Sequence, residues 1–245
     1  MRHRLDIALT LTLLPLLALS ACDAQVDPDY PGEPIASLVG TVTNEMQSRT
    51  ATDPVVGLLW INELTPGGPD TAFGETVAVS GQFPADFTLD VYAPPPPEAL
   101  NDLSAGGQRP EESRVGTAAI AVVDGQAVAA FDRGEEPAAN SMLGGADRHM
   151  LVYVETDIQP GSFGEVLLGG QLSAGFHVMD VERLTEAQKQ QVDQCRAQAV
   201  DEAQRRACGP DSAFDRLRLA PADLQTRISV RLVDDPDSVD WPEWT

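Results

Sequence analysis

The stretch Ala85-Asp86-Phe87-Thr88-Leu89-Asp90-Val91-Tyr92 decides the fold class. On an extended chain Phe87, Leu89 and Val91 point one way, and Asp86, Thr88 and Asp90 point the other. A period of two marks a strand with one face in a core and one in water. Pro94-Pro95-Pro96-Pro97 closes the stretch, because proline donates no ladder hydrogen bond. Four prolines in a row are extended and stiff. At a strand end they read as a rigid loop in preference to a ligand for a proline-binding module.

The same reading extends in both directions. Ile35–Thr43, Val55–Asn62, Thr76–Ser80, Val115–Asp124, Gln126–Phe131, His149–Asp157, Gly175–Leu184 and Leu224–Val233 are strand-like. Val55–Asn62 is apolar on both faces, which predicts a central strand. Leu224, Ile228, Val230 and Leu232 share one face of the last segment, with Arg227 and Arg231 on the other. Asp124-Gly125, between two apolar runs, predicts a hairpin, since that turn needs positive φ at both central residues. Short strands separated by Gly- and Pro-rich turns predict a mainly β chain, an antiparallel β-sandwich over residues 35–233.

One segment departs from this pattern. Thr185–Ala207 contains no Gly or Pro and is rich in helix formers. Thr185 and Gln188 have the spacing of a capping box, and Gly209-Pro210 ends the segment. A helical insertion over 185–208 is expected within the β domain.

The N-terminus sets the address. Met1-Arg2-His3-Arg4 is a basic head, and Ile7–Leu19 is almost wholly apolar. A membrane-spanning helix needs about 20 apolar residues, so the run is too short and has the pattern of a signal peptide. Leu19-Ser20-Ala21-Cys22 then resembles the lipobox of bacterial lipoproteins. The resemblance covers only the first 22 residues and is silent on the fold behind them. It implies that Cys22 receives a diacylglycerol, that a dedicated signal peptidase removes residues 1–21, and that the new amino group is open to acylation by palmitate or a similar chain. One chain anchors marginally, and two or three anchor stably. Asp23 is similar to an inner-membrane retention signal that differs between bacterial groups, which leaves inner or outer membrane open. Residues 22–34 carry Pro28, Pro31, Gly32 and Pro34 and read as a linker between the lipid and the domain.

Charge narrows the partners. The chain of 245 residues has 38 acidic and 16 basic side chains, a formal net charge of −22. The signal holds Arg2, Arg4 and Asp6, so its removal makes the mature chain one charge more negative. Such a surface repels phosphate backbones, which excludes nucleic acid as a partner. Aromatic residues make up 5% of the chain, so the core leans on Val, Leu, Ile and Ala.

Cys195 and Cys208 are an even pair in an exported chain, where disulfides persist. On one straight helix they would stand about 20 Å apart, and a disulfide needs Cα atoms within about 7 Å. Either the chain turns back near Ala199–Asp201, or the two are not bonded to each other. The oxidising compartment favours the bond.

Residues suited to catalysis are sparse. Beyond the signal the histidines are His149 and His177. Asp147-x-His149 and His177-x-x-Asp180 have metal-ligand residue types, but strand spacing puts 177 and 180 on opposite faces, and closed zinc sites need four ligands. No metal site and no cofactor is expected. Ser162 in Pro160-Gly161-Ser162-Phe163-Gly164 lacks the frame of a hydrolase elbow. Asp234, Asp235, Asp237 and Asp240 form an acidic run in the tail 234–245. The run lacks the glycine and bidentate glutamate of an EF-hand and reads as solvated. The expectation is a non-enzymatic lipoprotein of the cell envelope, tethered to a membrane through Cys22, with an envelope protein or glycan as partner. A carboxylate hydrolase and a calcium-dependent adhesion module are the alternatives.

Overall fold

A computed structural model describes residues 32–51, 53–61, 71–103, 113–132, 141–200 and 217–235. Among the described residues ten strands lie in one sheet. They are β1 (Ala36–Asn44), β2 (Pro54–Ile61), β3 (Thr71–Ala78), β4 (Ala85–Val91), β5 (Leu100–Asp102), β6 (Arg114–Asp124), β7 (Met142–Val154), β8 (Gly175–Arg183), β9 (Leu217–Pro221) and β10 (Ile228–Leu232). Helices α1 (Gly125–Asp132), α2 (Phe163–Leu167) and α3 (Glu186–Gln198) lie between strands.

The main path runs β3-β2-β6-β7-β10-β1-β4. All its pairings are antiparallel except β1 with β10, which run parallel from Gly40 opposite Ile228 to Asn44 opposite Leu232. β3 and β4, the two ends of the path, lie side by side. There the Glu75 carboxylate of β3 accepts the backbone N–H groups of Tyr92 and Ala93 at 3.2 and 3.4 Å. The mainly β expectation holds. A nearly closed mixed sheet stands where the sequence reading expects an antiparallel sandwich, because the first and last strands of the domain pair in parallel and join its two halves.

The inside of this sheet is the larger core. Alternation delivers Ala36, Leu38 and Val42 from β1, Ala85, Phe87, Leu89 and Val91 from β4, and Ile228, Val230 and Leu232 from β10. Gly40 sits where Phe87 reaches across. A Cβ there would lie 2.4 Å from the Phe87 ring and 2.4 Å from the Ile228 carbonyl. Trp60 is fully buried, and its ring centroid lies 6.4 Å from that of Phe176, which in turn lies 4.9 Å from Tyr153.

β7 forks the sheet. On one edge it pairs with β6. On the other its first half pairs with β10 at Gly144 and Gly145, and its second half with β8 from His149 to Val154. The fork creates a second core on the outer side of β7 and β8. Met150, Val152, Val154, Met179 and Val181 meet Leu219 of β9 and Ile158, Leu167, Leu168 and Leu172 from the connection around α2. Two cores account for the continuous apolar runs in the sequence. Val152 and Leu151 are adjacent and both fully buried, each in a different core.

Several boundaries differ from the sequence reading. β7 begins at Met142, ahead of the expected His149, and β10 is shorter than Leu224–Val233. β2 is central as expected, between β3 and β6. The hairpin at Asp124-Gly125 does not form. Gly125 takes no positive φ, and the segment expected as the strand Gln126–Phe131 is α1. The Asp124 carboxylate accepts the Gln126 N–H at 2.9 Å, the bond by which Asp starts a helix. Gln126, Ala127, Ala129 and Ala130 are good helix formers, and local propensity wins over the turn signal. The proline run follows β4 as an irregular segment at 94–96. Pro95 is buried, and Pro97–Ala99 form a single 3-10 turn leading into β5.

Gly144 has φ +151°, and a Cβ on it would lie 1.9 Å from the Arg231 carbonyl oxygen. Gly144→Ala therefore forces β10 away from β7. The expected cost is about 3 kcal/mol, read as a lowered urea midpoint, whereas a change within experimental error would contradict the close approach.

Candidate functional site

The fork in β7 also gathers polar side chains. β7 opposes Ala119 with Met150 but Ala121 with Gly145. The extra residues bulge, and the bulge carries Asp147, Arg148 and His149. Bulges re-aim side chains and are frequent beside active sites. His149 stands opposite Asp180 of β8, with its Nε2 3.2 Å from Asp180 Oδ1. Arg231 of β10 donates to Asp147 at 3.0 Å and to Glu45, just beyond β1, at 3.2 Å. Strands β1, β7, β8 and β10 thus meet through one histidine, one arginine and three carboxylates.

The electrostatics of this cluster are those of a clasp. Burial holds His149 below the usual histidine value. Asp180 pulls in the opposite direction, Arg148 adds to the lowering, and Asp147 opposes it. The ring is therefore neutral at pH 7, with the Nε2 proton directed at Asp180. Its other nitrogen, Nδ1, is buried and meets no hydrogen-bond partner among the described residues, so it offers no base to solvent. Among the described residues no group of three or more His, Cys, Asp and Glu is placed to hold a metal ion.

The second candidate pair separates. His177 Nε2 lies 2.7 Å from the Ser173 carbonyl oxygen, and His177 stands opposite Val152, away from the His149–Asp180 pair. Ser162 is buried and caps α2, its hydroxyl accepting the Glu165 N–H at 3.2 Å. Glu165 reaches back to the Gly161 N–H, and that bond, followed by one from Gln171, holds its carboxyl below the usual range. Ser162-x-x-Glu165 thus has the spacing of a capping box, with the carboxylate accepting from Gly161, one residue before the cap, in place of Ser162.

In the acidic tail, Asp234 accepts the consecutive N–H groups of Gln47, Ser48 and Arg49 at 2.9, 2.9 and 3.0 Å. These bonds, the one from Gln47 foremost, hold its carboxyl below the usual range. A carboxylate in this position fastens the end of β10 to the segment after β1. Asp237 and Asp240 lie outside the described residues.

Cys22 and Cys208 also lie outside the described residues. Cys195 is on α3, with its side chain exposed. α3 ends at Gln198, so it does not run as one helix to position 208. Nothing in the sequence marks His149–Asp180 as a pair, because it arises from strand register between separate segments. No protein-family model, curated protein or solved structure matches this chain.

The His149 clasp predicts a pH dependence. Its folded-state value lies below the unfolded value of 6.5, so the unfolded chain takes up the proton first. Stability is then full above the unfolded value and falls as pH drops below it. Between about pH 7.5 and about pH 5.5, the melting temperature of the parent should fall more than that of His149→Gln. Equal falls in both proteins would mean that His149 is solvated.

Proposed function

We propose that this chain is a lipid-anchored protein of the bacterial cell envelope, with a non-enzymatic binding or structural role. The reading is carried by Leu19-Ser20-Ala21-Cys22, placed directly after a short apolar run with a basic head. On this reading residues 1–21 are removed, Cys22 carries the lipid, and residues 22–34 tether the β domain at a membrane surface facing the periplasm or the cell exterior. Among the described residues no helix is long and apolar enough to cross a membrane. The strong negative charge favours an envelope protein or a neutral glycan over any polyanion as partner.

The polar clusters support a binding or structural role over a hydrolytic one. Ser162, Glu165, Asp234, His149 and Asp180 each hold elements of the fold together. The calcium reading loses a ligand, since both Asp234 oxygens already accept backbone N–H groups.

Cys22→Ala should abolish labelling by radioactive palmitate and leave an unprocessed precursor or a soluble product. Labelling retained at the parent's level, or a soluble processed product in the parent itself, would exclude an anchor on Cys22.

We further propose that Cys195 and Cys208 form a disulfide, on the strength of the oxidising compartment and the end of α3 at Gln198. The bond closes a loop of about 14 residues and contributes roughly 3 kcal/mol on the chain-entropy model. Mass spectrometry of the unreduced mature protein should find both cysteines in one cross-linked peptide pair. Two alkylatable thiols would exclude the bond.

A further inference from the structure

Where the tether joins the β domain, the chain exposes an apolar pair. Ile35 is 54% exposed and Tyr92 is 38% exposed. They are neighbours at one end of the β1–β4 pair, since Ala36 stands opposite Val91 and the Ile35 N–H donates to the Val91 carbonyl at 2.8 Å. Ala93 and Pro94 extend the exposed apolar surface. Alternation puts Ile35 and Tyr92 on the outer face, where the neighbouring positions Ser37, Asp86, Thr88 and Asp90 are polar and these two are not. Of the neighbouring carboxylates, Asp90 accepts the Ser37 hydroxyl at 2.5 Å, and Glu75 accepts the Tyr92 and Ala93 N–H groups.

We propose that Ile35 and Tyr92 form a membrane-docking tip, which seats this end of the domain in the interfacial region of the bilayer that holds the lipid. The inference rests on the Cys22 anchor. On the anchor reading residues 23–34 span at most about 40 Å between the lipid and the domain, and Glu33-Pro34 lead directly into Ile35, so the apolar pair is the part of the domain nearest the lipid along the chain. The opposite end of β4 lies about 20 Å farther along the strand. A tyrosine and a branched aliphatic side chain suit an interface, where one end is apolar and the other wet. The strong negative charge of the chain disfavours contact over a wide face, which leaves a small apolar tip as the favourable contact.

The test uses the full mature lipidated chain in phosphatidylcholine vesicles containing brominated acyl chains. Ile35→Trp and Tyr92→Trp report on the tip. Gln82→Trp, in the exposed turn at the far end of β4, is the control, and each signal is taken as the difference from the parent. Quenching of the two tip variants should exceed that of the control by at least about twofold. Equal quenching at all three positions, with the protein still floating with the vesicles, would overturn the docking tip and leave the anchor standing. Loss of flotation would overturn the anchor and the tip together. A blue shift of Ile35→Trp emission with rising protein concentration in detergent, without bromolipid quenching, would assign the patch to a second copy of the chain and overturn the lipid assignment.

Discussion

The fold depends on a single strand having two partners on one edge. β7 is 13 residues long, about twice the usual strand length, and neither β8 nor β10 is long enough to cover it. β10 takes the first half and β8 the second. The division creates both cores. Inward-facing residues of β7 fill the nearly closed sheet, and outward-facing residues are covered by β9 and the connection around α2. On its other edge β10 lies against β1 in parallel, which brings the start and end of the domain together.

Polar chemistry follows from that arrangement. A strand that changes partners leaves backbone and side chains in need of bonds at the change, and the bulge at Asp147–His149 supplies them. His149 ties β7 to β8, and Arg231 ties β10 to β7 and to Glu45. Farther out, Asp234 accepts three backbone N–H groups and pins the end of β10 to the segment after β1. On the outer face, Arg227 bonds both Thr41 and Asp86, crossing β10, β1 and β4. In these clusters the acidic side chains are tied into the fold and link neighbouring strands.

Much of this architecture is legible in the amino-acid sequence. β1, β2, β4, β6 and β8 lie close to where alternation puts them, because each has a clean apolar face or two. The Ala85–Tyr92 reading holds residue by residue. Three things are not legible. α1 replaces a hairpin because a one-residue carboxylate cap and an alanine-rich run outweigh the Asp-Gly turn signal. β5 and β9, of three and five residues, are too short to show a period. The parallel β1–β10 pairing and the His149–Asp180 register are relations between distant segments, and alternation within one segment does not encode them. Cys22 is the reverse case, a strong local signal that lies outside the described residues.

The central claim is that β1 and β10 pair in parallel to join the two halves of the sheet. Hydrogen exchange of the mature chain, resolved by peptide, tests it most directly. The account predicts that amides of 40–44 and 228–232 are protected to the same degree as those of β6 and β7, and lose protection together in denaturant. Exchange of either segment at the rate of an exposed loop, while β6 and β7 stay protected, would contradict it.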